Sequence, residues 1–371
     1  MINDNQSNQL PLNKIKARVF FLAPSYLNLY KEIVCELEKQ NYEIYTVSDI
    51  IFRFDPYFKD SRFKKMKYIC IKAISRRYWK RMIRHKVEFN KQYDILFCVN
   101  GYSIDKILLN HLKKKNPYIK CILYLWDSNN YYNFSRNFHL FDKVITFDRI
   151  DSIHFNIEYL PFFLVDKGQN EQTNKYQICF IGSNHDDRYW IVKNIVKQLD
   201  EMNISYYIKL FIPERKPSFR SKIRYLCYRL YSSHYIKKIE EWNLIYGKYI
   251  PSFVTNHLFS PQQFSHVLNE SFCVLDTDRE CQSGLTPRLI WALAANKKII
   301  TTNVDVVNHP FYSSDRICII DRNRPQVSYE FINTPINNEC NDFMQELLKL
   351  RIDNWIETVL RFDVINEAYI Y

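Results

Sequence analysis

Two stretches of the chain set glycine beside hydroxyl and cationic side chains at a spacing that suits a bound phosphate. In "CQSGLTPRLIWALAANKKIITTN" (Cys281–Asn303), Gly284 and Leu285 precede Thr286, Pro287 and Arg288. Thr286 is placed to cap a helix whose first position is Pro287, where the missing N–H costs nothing. Open amides and the helix dipole at such a start favour an anion, and Arg288 adds a charge-assisted donor. The alternative is a well-capped helix with a solvated arginine, yet a cation in the first turn opposes the dipole. "FIGSNHDDRYW" (Phe180–Trp190) repeats the design, with Gly182 and Ser183 ending a strand and Arg188 opening the next helix. His185 in that loop is either a catalytic side chain or, like Asp186 and Asp187, a capping and turn residue.

A third stretch, "LYLWDSNN" (Leu123–Asn130), ends a strand with Asp127. A carboxylate there is a candidate general base for an acceptor hydroxyl, or else a cap for the following helix. "DTD" (Asp276–Asp278) has the form of a metal-binding Asp-x-Asp but directly precedes the Gly284 loop, so metal is not the expected ligand. Other chemistries are closed by absence. The five glycines come no closer than Gly168 and Gly182, so neither GxGxxG nor a Walker A loop exists. No HExxH or close His/Cys cluster supplies a zinc site.

The elements that must hold these residues alternate between strand and helix. Apolar runs at 16–24, 42–48, 93–101, 120–128, 141–148 and 157–163 are separated by helical spacing, for example over 103–115. The apolar pattern lapses over 164–177, the expected linker. It resumes with strands at 177–183, 206–213, 272–278, 297–303 and 316–321, a capped helix at 260–271 and a helical C-terminus from Asn341. Continuous apolar strands between helices predict parallel sheets covered on both faces. The expected domains are 1–165 and 175–340, with 341–371 a helical segment that packs back on the first.

With 371 residues, 47% of them hydrophobic, the chain has material for two cores. The ten cysteines form no CxxC pair and sit in apolar runs, reading as small buried hydrophobes of a reducing compartment. A net charge of +12 favours an anionic partner. Two basic, aromatic segments concentrate it: 62–91, with twelve Lys/Arg against Glu88, and 216–238. They suit an anionic membrane surface or nucleic acid. The polar N-terminus lacks a signal-peptide core, and no run reaches the length of a membrane span. The expectation is a cytoplasmic protein held peripherally at the inner face of the plasma membrane.

The segments "YLWDS", "FDKVITFDRIDSIHFNIEYLPFF", "CFIGSNHDDRYWIV" and "VLDTDRECQSGLTPRLIWALAANKKIITTN" occur in an order similar to that of GT-B glycosyltransferases. Specifically, the chain resembles bacterial enzymes of surface polysaccharide, capsule or lipopolysaccharide synthesis, over about Tyr93 to Asp321. The resemblance implies an α/β GT-B fold, two Rossmann-like domains facing a cleft, with a nucleotide-sugar donor on the C-terminal one. It implies a glycan or lipid-linked glycan acceptor, no bound metal or other cofactor, and no nucleic-acid partner. Gly182, Ser183, Arg188, Gly284, Leu285, Thr286 and Arg288 would then bind the donor, with Asp127 as base and His185 a second catalytic candidate. One departure stands out. Many retaining members carry two glutamates eight residues apart here, the second on the ribose; this chain has Ser283 and Trp291, with Glu280 the nearest acid. Ribose recognition is thus unassigned; the alternative readings are a basic, aromatic nucleic-acid-binding protein and a catalytically inactive relative serving as an assembly partner.

Overall fold

A computed structural model describes residues 15–25, 29–49, 61–165, 175–213, 219–230, 232–246, 250–336 and 341–362. Contacts divide the chain into unit 1, residues 1–165 with 349–370, and unit 2, residues 166–348. The nine residues 166–174 of the expected linker lie outside the described residues.

Unit 1 runs β1 (Ala17–Ala23), α1 (Leu29–Lys39), β2 (Tyr42–Ser48), α2 (Ser61–His85), β3 (Ile95–Val99), α3 (Lys106–Lys115), β4 (Lys120–Leu125), β5 (Lys143–Thr146), α4 (Arg149–Phe155) and β6 (Glu158–Tyr159). All six strands are parallel, in the order β2-β1-β3-β4-β5-β6. β1, β3 and β4 are buried almost throughout, which is why they read as continuous apolar runs.

Unit 2 runs β7 (Tyr176–Ser183), α5 (Arg188–Glu201), β8 (Tyr206–Phe211), α6 (Phe219–Leu230), α7 (Ser232–Ile245), β9 (Val254–Thr255), α8 (Pro261–Asn269), β10 (Ser271–Asp276), α9 (Pro287–Ala294), β11 (Lys298–Thr301), β12 (Ile317–Ile319), α10 (Tyr329–Asn333) and α11 (Asn341–Leu348). Its six parallel strands lie in the order β12-β11-β10-β7-β8-β9. Counted from β7, this is the doubly wound order of a dinucleotide-binding fold, and its direction reverses between β7 and β10.

The C-terminal helical pattern divides between the units. α11 belongs to unit 2, whereas α12 (Ile352–Leu360) returns to unit 1. Leu164 and Arg351 form a parallel bridge there, with Leu164 N donating to Leu350 O at 2.7 Å. The fully buried Trp355 packs against Tyr124, ring centres 4.7 Å apart, and donates to Pro161 O at 3.0 Å.

The two basic segments have different fates. In 62–91, Trp79 is fully buried in the unit 1 core and its indole N–H bonds Ser103 O at 2.8 Å. It is therefore unavailable as an interfacial aromatic, and the side chains of 62–71 lie outside the described residues. In 216–238, α6 turns outward. Phe219, Ile223, Leu226 and Leu230 are 78%, 46%, 59% and 80% exposed, at the i, i+4, i+7, i+11 spacing of one helix face. Exposed Lys222 and Arg229 lie along one edge of that stripe, while residues 216–218 and 231 and the side chains of 220, 224, 228 and 232–238 lie outside the described residues. Among the described residues, Cys98, Cys121, Cys179 and Cys273 are buried, as apolar runs predict, but Cys35 and Cys227 are exposed.

Candidate functional site

The reversal between β7 and β10 in unit 2 is where a ligand of an open α/β sheet collects, at the carboxyl ends of the strands. Both glycine stretches are there. Thr286 is the N-cap of α9 with Pro287 at the first position, as their types predict; its hydroxyl accepts from Leu289 N at 3.1 Å and donates to Asp276 Oδ1 at 2.7 Å. Asp276, fully buried at the end of β10, also accepts from Arg288 Nη1 at 2.7 Å and from the Thr301 hydroxyl at 3.1 Å. Arg288 Nε donates to Ile181 O at 3.1 Å, and its guanidinium lies 4.7 Å over the Phe180 ring. The first-turn cation thus has an internal reason to oppose the dipole: it neutralises a buried carboxylate and ties α9 to β7.

That geometry also explains Gly182. A Cβ there would stand 2.7 Å from Arg288 Nη2 and 2.8 Å from Phe180 Cζ, so glycine leaves room for the guanidinium. Gly284 does not occupy the left-handed region; of the described glycines, Gly101 does, with φ +66. The loop of Ser283, Gly284 and Leu285 is buried, and Asn303 pins it by donating to Ser283 O at 2.9 Å and Gly284 O at 3.4 Å.

Arg188, buried at the start of α5, donates to Ser183 O and Thr277 O, both at 2.6 Å, and so staples the ends of β7 and β10 together. His185 sits among Arg279, Arg188 and Arg288. Burial first, and then those three guanidinium charges, push its pKa down to about 2. Both effects favour the neutral ring. The Asp276–Asp278 pair serves the protein itself: Asp278 is ion-paired with Arg322, which also bonds Asp187 at 2.6 Å. Burial raises the Asp278 pKa against the pull of Arg322. Among the described residues no three His, Cys, Asp or Glu side chains are grouped to hold a metal.

Unit 1 carries its own cluster at the carboxyl ends of β2, β3 and β4. Asp127 Oδ2 accepts from Asn100 Nδ2 at 2.8 Å and from the Tyr102 hydroxyl at 2.6 Å. Asn100, left-handed at φ 61, also accepts from Trp126 N at 2.9 Å, so it fixes the backbone beside Asp127. Burial, and then the Asp127 charge, raise the Tyr102 pKa well above its ordinary value, keeping that hydroxyl a donor. Asp49, fully buried, accepts from the Tyr102 and Ser103 amides at 2.7 and 3.0 Å and from the Ser103 hydroxyl at 2.8 Å. Burial lifts its pKa to about 6 even so.

The sequence-chosen residues therefore fall into two groups. Gly182, Ser183, His185, Arg188, Gly284, Leu285, Thr286 and Arg288 share one site in unit 2, and Asp127 belongs to unit 1. Sequence reasoning passed over Arg279, Arg322, Asn303 and Asn100. Each stands one to three residues beyond the end of a strand, and that position was their available signal.

No family model and no curated protein matches the sequence. Among solved structures the chain is similar to a trehalose-6-phosphate synthase, OtsA, with a TM-score of 0.59 at 10% identity, covering 92% of this chain and 97% of that one. It is similar to the OtsA apo structure with a TM-score of 0.56 at 10% identity, over 93% and 99% of the two chains. An α,α-trehalose-phosphate synthase (UDP-forming) from Burkholderia vietnamiensis gives 0.56 at 8% identity, over 92% and 98%. At such identity the likeness is one of fold: an α/β GT-B architecture of two Rossmann-like units.

Proposed function

We propose that this chain is a glycosyltransferase that moves a sugar from a nucleotide-activated donor to a hydroxyl of a lipid-linked glycan acceptor in cell-surface polysaccharide synthesis. The observation that carries the reading is the unit 2 switch point, where Arg279, Arg188 and Arg288 surround a neutral His185 between two glycine loops. Diphosphate oxygens would lie against the His185 amide and the Gly284–Thr286 loop, with Arg279 adding charge; the Asn184 amide is already taken by Phe211 O. Arg188, Arg288 and Thr286 would act chiefly by holding those loops. One of the similar structures is named as UDP-forming, which supports a nucleoside diphosphate as leaving group.

In an inverting reaction Asp127 of unit 1, oriented by Asn100 and Tyr102, would be the base that takes the proton of the acceptor hydroxyl. The charge that develops on the leaving diphosphate would be met by preorganised cations and amides, so the reaction would need no divalent metal. The exposed apolar stripe of α6, with Lys222 and Arg229 along one edge, would lie in the interface of an anionic leaflet where a lipid-linked acceptor resides.

A thermal-shift screen with UDP, GDP, CMP and dTDP tests the donor site. One nucleotide should raise Tm in a saturable, concentration-dependent way, by about 2.7 kcal/mol of added stability at a hundredfold excess over Kd. No shift with any nucleoside phosphate would remove the reading.

A further inference from the structure

Unit 1 holds a basic recess of its own. It is a cavity of about 140 Å³ between α2, the start of α3 and the segment 132–140, and Lys72, Lys106, Arg136 and His139 line it. The carboxylate on its wall, Asp105, is already committed. It caps α3 by accepting from Ile107 N at 2.9 Å and pairs with Arg76 at 3.6 Å. Ser75, on α2, also lines the recess and is only 2% exposed. Its hydroxyl has no hydrogen-bond partner among the described residues. A buried hydroxyl left unpaired is unfavourable, and a ligand oxygen in the cavity would relieve it.

The recess is joined to Asp127 by a chain of aromatic residues. Arg136 lies 4.7 Å over the Tyr132 ring and donates to its hydroxyl. Tyr132 in turn donates to Tyr102 O at 3.1 Å, and the Tyr102 hydroxyl bonds Asp127. Cations and a hydroxyl from three separate elements around so small a space suit the several oxygens of one tetrahedral phosphoryl group.

We propose that this recess binds a phosphoryl group carried by the acceptor, beside Asp127. The placement beside the acceptor rests on the reading of Asp127 as the base; the anion site does not. A lipid-linked phosphate and a soluble sugar phosphate share this chemistry. Calorimetric titration of the full-length protein with inorganic phosphate, a hexose monophosphate and a short-chain prenyl phosphate in micelles tests it. At least one of the organic phosphates should bind more tightly than inorganic phosphate, and the one that does identifies the source. Lys106→Glu should weaken that binding by about tenfold or more, as for loss of a charge-assisted contact. Its Tm should hold, because an acid at the first position of α3 suits the helix dipole. Ser75→Ala should weaken binding less, and Arg279→Ala, in the other unit, should leave it unchanged. Equal affinity in wild type and Lys106→Glu, or no binding of either organic phosphate, overturns the proposal. Asp127→Asn separates the two readings: full turnover there, with the Lys106→Glu effect intact, would remove the base and leave the phosphate site.

Discussion

Arg288 and Asp276 form an ion pair whose burial is one-sided, since Asp276 is fully enclosed and the arginine is 13% exposed. Without the guanidinium, a buried carboxylate would keep only the hydroxyls of Thr286 and Thr301. Arg288→Ala is therefore expected to destabilise the protein by about 3–5 kcal/mol, the usual cost of breaking a buried pair from one side. Chemical denaturation checks this; an unchanged midpoint with weakened nucleotide binding would show that Arg288 faces ligand instead. His185 gives a pH signature. Its folded pKa lies below the ordinary histidine value, so the unfolded chain binds the extra proton. Its contribution to stability is intact above about pH 6.5 and falls as pH drops below that value. His185→Gln should flatten that acid-side loss of Tm, and equal pH profiles for the two proteins would contradict the burial of a neutral ring. At this scale the sequence was informative about type and silent about direction. "GLTPR" shows a cap and a cation, but nothing in it says that the cation turns inward, because Asp276 and Ile181 come from other strands.

Among the elements, α6 differs most from its neighbours. Helices such as α5 and α9 bury one face, whereas α6 presents Phe219, Ile223, Leu226 and Leu230 to solvent. A stripe of that spacing with Lys222 and Arg229 along one edge fits a membrane interface. Leu226→Asp should cut binding to vesicles rich in anionic lipid and leave binding to neutral vesicles at its low baseline, measured by co-sedimentation. Retention of full binding would move the contact elsewhere. The sequence located this basic, aromatic segment and an equivalent one over 62–91 with equal weight. The structure separates them through Trp79, which α2 drives into the core against Ser103. Composition could not make that distinction, since a tyrosine- and lysine-rich helix reads alike whether its aromatics point in or out.

For the whole molecule, the division of the C-terminal helices matters most. α12 crosses back to complete unit 1, where Trp355 lies against Tyr124, Phe97 and Phe163. Trp355→Ala should cost about 3–5 kcal/mol, as for other buried tryptophans. The loss should appear in the unfolding of unit 1 while nucleotide affinity in unit 2 is kept. Loss of that affinity would mean that the two units do not respond separately. The continuous helical pattern from Asn341 could not reveal the crossing, because the break at Lys349–Arg351 is made by a bridge to Leu164, far away in sequence. What the sequence by itself determined was the α/β class, the two sets of buried parallel strands and the capped start of α9. Each follows from local periodicity and residue type, which act over a few neighbours. Only the tertiary structure decided the strand order and hence the switch point. It likewise decided which of the arginines are spent on Asp276 and Asp278, and the joining of a basic recess to Asp127 through Tyr102. Those depend on which strand ends lie side by side, and that is set by contacts between residues 89 to 135 positions apart.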